Sequence, residues 1–108
     1  MSTSVDPQNA HARLDLLKLR FAETVLREFN ILRVRQKSLA NLVRWKKQGT
    51  WCSAYDEWTD LMTSGSDADV INAMTSPDEN ANRLRQSPPF VGLLDQATVD
   101  GLPKKLNL

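Results

Sequence analysis

The chain has 108 residues, enough for one domain with a single hydrophobic core. Hydrophobic residues make up 41% and charged residues 25%, as in ordinary globular domains. No run of about 18 apolar residues occurs, which excludes a transmembrane helix, and residues 1–6 lack the parts of a secretory signal. With the single cysteine Cys52, no internal disulfide can form, and a cytoplasmic location is the simplest interpretation.

The net charge of +1 hides an asymmetry between the two parts of the chain. Residues 1–48 contain ten Lys or Arg and four acids, a net charge of +6. Residues 49–108 contain four Lys or Arg and nine acids, a net charge of −5. This pattern indicates that the two parts dock on each other, within one chain or across a dimer, or that the basic part meets an external polyanion.

The stretch 6–48 is predicted to form one long helix. Asp6 and Pro7 are a helix-start signal, and Gly49 stands where a left-handed C-cap residue belongs. Between them runs an apolar stripe with steps of three or four residues, the period of an α-helix. We call the following positions the apolar stripe: Leu14, Leu17, Phe21, Val25, Phe29, Leu32, Gln36, Leu39 and Val43.

An unbroken helix of this length would be a rod of about 63 Å, long for a compact domain of this size. Two structures satisfy the pattern. The helix breaks near Asn30 into an antiparallel pair, or it stays whole, straight or kinked, and buries its free end against a second chain. Neither Gly nor Pro lies near Asn30, so we favour the single helix.

Three short helices are predicted to follow, over about 54–63, 67–75 and 77–86. Each is preceded by a serine with an acid three residues later, a capping-box pattern that begins at Ser53, Ser66 and Ser76. Isolated helices this short are marginal in water, so they must pack on the long helix. We expect Trp58 to be buried against its C-terminal half, near Leu39 and Val43.

The remaining segment begins with Ser87-Pro88-Pro89, which stops the third helix. Asp95 is predicted to cap a last turn that ends at Val99. The predicted fold is therefore all-α: a long helix over 6–48, a cap of three to four short helices over 53–101, and a loose tail over 102–108.

Few residues suggest catalysis. His11 is the only histidine, and it lies off the apolar stripe. Cys52 precedes a predicted helix N-terminus, where thiol pKa values fall, but it has no evident base. Capping and solvation account for Asp56, Glu57 and Asp60. No phosphate-binding loop and no metal-ligand spacing occur, so we predict no enzyme activity, no cofactor and no metal.

Two segments are candidate protein-binding sites. The apolar positions of the stripe span about 44 Å at 1.5 Å per residue, more than short helices of ten residues can cover, which predicts a homodimer or a tight hetero-complex through its first half. That predicted interface consists of Leu14, Leu17, Phe21, Val25 and Phe29. Proline-rich segments with nearby arginines dock in aromatic grooves, which makes a second candidate of Arg83, Arg85, Pro88, Pro89 and Phe90. The simpler interpretation of this second segment is a rigid connection that plugs the core with Phe90.

A third candidate is a basic stripe on the second half of the long helix. Its members lie within about 80° on a helical wheel: Arg33, Lys37, Arg44 and Lys47. Such a face can neutralise phosphates, and Trp45 could stack on a base. We expect instead that the stripe pairs with the acids of the short helices, such as Asp56 and Asp60. The helices 54–63 and 67–75 have the spacing of a helix-turn-helix, but Asp67 and Asp69 would repel DNA.

The sequence therefore favours a small regulatory or adaptor protein that acts by protein–protein interaction, through self-association or a larger partner. An antitoxin-like regulator is one form of this role, although no residue singles it out. The alternative is sequence-independent nucleic-acid binding through the basic stripe.

Overall fold

The computed structural model describes residues 7–105, and the side chains of residues 11–105. Every regular element in this range is an α-helix. The helices are α1 (Pro7–Glu28), α2 (Ile31–Lys47), α3 (Ser53–Ser64), α4 (Asp67–Thr75), α5 (Glu79–Arg85) and α6 (Gln96–Lys105). The all-α prediction is confirmed for these residues. The predicted cap at Asp6 and the end of the predicted tail, 106–108, lie outside the described residues.

The predicted long helix is in fact two helices, with a break at Phe29 and Asn30. Asn30 has extended backbone angles, φ −72° and ψ 162°, and its side chain accepts a hydrogen bond from the Arg33 N–H. Asparagine is a favoured N-cap residue, so this bond starts a new helix without Gly or Pro. The longest dimension of the molecule is 51 Å, less than the rod of about 63 Å.

The break also changes which side of α2 faces the core. Its buried residues are Val34, Ser38, Asn41 and Leu42. The apolar stripe predicted the opposite side, and there Leu32 is 62% exposed and Val43 56% exposed. Two of the four buried residues are polar. The hydrophobic pattern in the sequence therefore matched the exposed side of α2 and not its buried side.

The core lies where α1 and α2 meet the short helices, and Trp58 is at its centre. The predicted burial of Trp58 is confirmed, because its side chain is fully buried. Its indole N–H donates to the Leu84 carbonyl over 2.8 Å, and its ring meets the Phe90 ring edge-on at 5.6 Å. The predicted contact with Val43 is wrong, since Val43 faces away from the core.

The three short helices are present, but only one of the predicted serine caps is confirmed. Ser66 and Asp69 form a full capping box at α4. Cys52, rather than Ser53, holds the N-cap position of α3, without a side-chain bond. Asp78 caps α5 by accepting from the Ala81 N–H, while the Ser76 hydroxyl bonds to Asp78. Aspartate accepts such bonds as well as serine does.

The last helix is longer than predicted. Asp95 caps it as expected, since its carboxylate accepts from the Thr98 N–H over 2.7 Å. The helix then continues past Val99 to Lys105, with Gly101 and Pro103 inside it. Leu102 is buried against the rest of the chain. The predicted loose tail over 102–108 is therefore wrong for 102–105, because burial of Leu102 holds the last turn in place.

The capping box at α4 gives a first testable result. Ser66→Ala should lower the free energy of unfolding by about 1 kcal/mol, because the Asp69 N–H loses its acceptor. Ser76→Ala should have a smaller effect than Asp78→Ala, because the Asp78 carboxylate is the group that accepts the hydrogen bond from the Ala81 N–H of α5. Urea denaturation of the three variants measures the difference. Equal midpoints for Ser76→Ala and Asp78→Ala would contradict the assignment of the cap.

The caps also predict how stability depends on pH. The Ala81 N–H and the Ser76 hydroxyl lower the pKa of Asp78, and the Thr98 hydroxyl and N–H lower the pKa of Asp95. A carboxyl with a lowered pKa in the folded state stabilises the fold above its unfolded pKa, about 3.9. That stability is lost as the pH falls below this value through the folded pKa.

We therefore expect the urea midpoint to fall below about pH 4. The double variant Asp78→Asn, Asp95→Asn should show a flatter profile, since asparagine caps a helix without titrating. Parallel profiles for the variant and the original chain would contradict this assignment.

Candidate functional site

Most residues of the predicted interface on α1 are at least partly buried against other parts of the same chain. Val25 is fully buried in the core, so it cannot meet a partner in the folded protein, and its assignment to an interface is wrong. The Phe21 ring stacks on the Phe90 ring with centroids 5.8 Å apart. Leu17 and Phe29 are half-buried. Leu14 alone of the five remains mostly exposed, at 52%.

A polar network holds the same helix to α5. The Asp15 carboxylate accepts from the Asn82 and Gln86 side-chain amides, both over 2.9 Å. Lys18 donates to the Gln86 carbonyl oxygen over 2.8 Å. The polar side chains on this flank of α1 therefore bond to the chain's own residues.

The proline-rich segment packs mostly against the chain's own core. Pro89 and Phe90 are buried, and the Asn41 amide donates to the carbonyls of Pro89 and Val91 over 2.8 and 2.9 Å. Arg83 makes a two-bond ion pair with Glu57 on α3. The simpler interpretation is correct, because Phe90 fills the core beside Trp58 and the segment is a rigid connection.

Arg85, from the same candidate segment, is a buried cation. Its side chain is 2% exposed, and one guanidinium nitrogen donates to the Ala73 carbonyl over 3.4 Å. Burial lowers the pKa of Arg85, and the nearby charges of Asp78, Asp15 and Glu23 act against that shift. This guanidinium ties α5 to α4 and cannot reach a partner.

The basic stripe is exposed but does not pair with the acidic part of the chain. Arg33, Arg44 and Lys47 face solvent, and Lys37 is half-buried beside Gly92. Among the described residues, none of the four is in a salt bridge. The expected pairing within the chain is therefore wrong for this part of the structure. Asp56, one of its expected acceptors, instead accepts from the Trp51 indole N–H over 3.0 Å.

Arg35 lies outside the predicted basic stripe. It is the described residue of α2 that forms an ion pair with an acid of the short helices. Its guanidinium donates to the carbonyls of Leu61, Met62 and Gly65 at the C-terminus of α3. It also makes a 2.8 Å ion pair with Asp67. The sequence shows no signal for this contact, since it depends on where α3 ends relative to α2.

Trp45 belongs to an aromatic cluster rather than to an open stacking platform. It is half-buried, and its ring lies 5.0 Å from the Tyr55 ring. The Trp51 ring centre also lies 5.3 Å from that of Tyr55, and the Lys46 ammonium sits 5.1 Å from the Trp51 ring centre. Burial, with the Cys52 thiol nearby, raises the pKa of Tyr55. Trp45 is therefore poorly placed to stack on a nucleobase.

The outer face of α2 is the least covered apolar surface of the described chain. We define it by Leu32, Gln36, Leu39 and Val43. Leu32 and Val43 are both more than half exposed, and a groove of about 380 Å³ runs along one edge of this face. We call it the α2–α3 groove, and its lining residues are Leu39, Leu42, Val43, Lys46, Trp51, Asp56, Thr59 and Asp60.

The two edges of the outer face carry opposite charge. Asp56 and Asp60 are exposed on α3, across the groove. Lys37 lies beside Gly92, so the other edge of α2 borders the connection before α6. Arg33 and Arg44 share that edge on a helical wheel. The outer face is therefore bordered on one side by Asp56 and Asp60, with Lys46 beside them in the groove, and on the other side by cations alone.

The remaining sequence candidates form no cluster in the structure. His11 and Cys52 are exposed, and the Cys52 thiol lies 3.7 Å from the Ser87 hydroxyl. Within residues 7–105, no three His, Cys, Asp or Glu side chains converge on a point where a metal ion could bind. No helix in that range has both the length and the apolar character needed to cross a membrane.

Comparison with known proteins adds no assignment: no family model, curated protein or solved structure matches this chain. The function is therefore argued from the geometry of its own side chains.

Proposed function

We propose that this chain is a small non-enzymatic adaptor or regulatory protein that binds a protein partner through the outer face of α2 and the α2–α3 groove. The observation that carries the proposal is the exposure of Leu32 and Val43, 62% and 56%, on one side of one helix. They lie eleven residues apart, about 16 Å along the helix. Leu39 is half-buried between them, and the exposed Gln36 lies between Leu32 and Leu39.

Single exposed apolar residues are common on protein surfaces and need no explanation. A strip of them beside an open groove is different, because amphipathic helices bind in such grooves with anchors at i, i+3, i+4 and i+7. Burial of Leu32 and Val43 on binding would contribute the apolar contact, and the charged edges would orient the partner.

The chemistry of the groove supports a binding role rather than catalysis. Its lining includes no histidine, cysteine or serine among the described residues. The Thr59 hydroxyl donates to the Tyr55 carbonyl, and Asp56 already accepts from Trp51. A nucleophile with an adjacent base, the usual arrangement in covalent catalysis, is not assembled there.

A photo-crosslinking amino acid at position 43, in the cell of origin, tests this proposal. We expect it to give a protein–protein crosslink. The matched control is the same amino acid in place of Ile71, which is 42% exposed on α4 and lies outside the proposed surface. Equal crosslinking at both positions, or none at position 43, would overturn the proposal.

Nucleic-acid binding is the second candidate, because Arg33, Arg44 and Lys47 are exposed and make no salt bridge among the described residues. Titration of a fluorescent DNA duplex at two salt concentrations tests it. Binding through phosphates should weaken with a log–log slope near −0.9 per phosphate neutralised, and Arg33→Glu with Arg44→Glu should abolish it. Salt-independent or undetectable binding would exclude this candidate.

A further inference from the structure

We infer that the partner on the outer face of α2 is a second copy of this chain, with α2 of each copy lying over α3 of the other. This inference rests on the proposed function, since it names the occupant of the same surface. Three features carry it: the charges on the two edges, the apolar strip between them, and the size of the surface.

Apart from the Arg35–Asp67 ion pair, the charges of α2 find their complement in a second copy rather than within the described chain. The basic part and the acidic part of the chain carry +6 and −5, yet the basic stripe makes no salt bridge in the described chain. Its exposed members Arg44 and Lys47, and the exposed acids Asp56 and Asp60 of α3, are thus available to a second copy.

A two-fold axis parallel to α2 brings these groups together. Residues 48–52 are a short connection between α2 and α3, so the two helices are antiparallel neighbours. Rotation about such an axis places the cationic edge of one copy over the acidic edge of the other. Because this rotation keeps the height of each residue along α2, Arg44 then lies level with Asp56 of the second copy, and the symmetric pair forms at the same time.

The other two-fold arrangement is disfavoured by the same charges. An axis perpendicular to α2 would place each edge over the same edge of the second copy. Arg33 and Arg44 of one copy would then face Arg33 and Arg44 of the other. Like charges across an interface are strongly unfavourable. The parallel arrangement is the one in which Val43 enters the opposite groove without this repulsion.

The size of the surface predicts a weak, reversible dimer. A helix of 17 residues is about 25 Å long, and two packed helices are about 20 Å wide. The footprint is therefore about 500 Å² per copy, or about 1,000 Å² in total, the lower end for specific interfaces. We expect dissociation in the micromolar range rather than an obligate dimer.

Sedimentation velocity of the full chain, from about 1 µM to about 500 µM, tests the inference. The sedimentation coefficient should rise with concentration from monomer to dimer. Val43→Glu should abolish the rise by burying a charge in the interface, whereas Ile71→Glu, matched in chemistry on α4, should not. Circular dichroism should show both variants folded. A monomer throughout the range, or a dimer insensitive to Val43→Glu, would overturn the inference.

Charge reversal tests the orientation. Arg44→Glu alone and Asp56→Arg alone should each weaken the dimer at least about five-fold, since each change occurs twice per dimer. The two changes combined should restore most of the affinity, because the ion pair is re-formed with its signs exchanged. Weakening that is simply additive in the combined variant would contradict the parallel arrangement.

The two proposals fail in different ways. Suppose that position 43 crosslinks to a different protein and the chain sediments as a monomer. This result would overturn the inference that the partner is a second copy, and it would support the proposed protein-binding surface. A crosslinked product of twice the mass of the chain supports both. The absence of any position-43 crosslink in cells, together with a monomer in solution, overturns both.

Discussion

Trp58→Ala should lower the free energy of unfolding by about 3–5 kcal/mol, the usual cost of deleting a core aromatic. The Trp58 side chain is fully buried, and it packs edge-on against Phe90. Alanine would leave a cavity at the point where α3, α5 and the connection before α6 meet. Urea denaturation followed by circular dichroism measures the loss.

Trp58→Phe is the matched control for this prediction. Phenylalanine keeps most of the ring volume but removes the N–H that donates to the Leu84 carbonyl over 2.8 Å. It should destabilise the chain by about 1–3 kcal/mol, the cost of leaving a buried polar group without its partner. An alanine variant that unfolds at the same urea concentration as the original chain would place Trp58 at the surface.

Asn41→Leu should lower the free energy of unfolding by about 2–4 kcal/mol, although it adds an apolar side chain to the core. The Asn41 amide donates to the carbonyls of Pro89 and Val91. Leucine leaves both carbonyls without this donor, and Arg44 loses an acceptor. The expected loss exceeds any gain from burying the leucine methyls.

Val43→Ala on the same helix is the control for Asn41→Leu. Val43 is 56% exposed, and surface substitutions change stability by about 0.5 kcal/mol or less. Chemical denaturation of both variants at low protein concentration separates the two positions. A stabilised Asn41→Leu variant would contradict the role assigned to the Asn41 amide.

Local signals in the sequence predicted much of the helical framework. The serine and acid at Ser66 and Asp69 form the predicted capping box, and Asp95 starts the last helix. Gly49 has a positive φ of 78° just after α2, as its stop signal indicated. These features depend on a few neighbouring residues, so one sequence is enough to read them.

The inner side of α2 could not be read in the same way. Ser38 and Asn41 are buried there, and hydrophobic periodicity assigns polar residues to the surface. The break at Asn30 was equally hidden, because asparagine is a helix cap only when the chain changes direction there. The apolar residues on the outer side of α2 continued the helical spacing of the apolar residues on α1. The sequence therefore predicted one helix where the structure has two.

Whether a candidate segment is a binding site or part of the core depends on tertiary contacts, which a single sequence does not show. A proline segment followed by Phe90 suits a docking peptide and a core plug equally well, and only the Asn41 bonds and the burial of Phe90 separate the two. Likewise, the total charges of the two parts suggested pairing. They could not show that Arg35, outside the basic stripe, takes the ion pair with Asp67.

The orientation of α2 is the central claim, and thiol reactivity in a Cys52→Ser background tests it most directly. Gln36 is exposed and Ser38 is fully buried, whereas the unbroken apolar stripe would turn Gln36 inward. At low protein concentration, a maleimide should modify Gln36→Cys rapidly and Ser38→Cys only after denaturant is added. Rapid modification of Ser38→Cys with protection of Gln36→Cys would show that α2 presents the opposite side to solvent, and would contradict the proposed interaction surface.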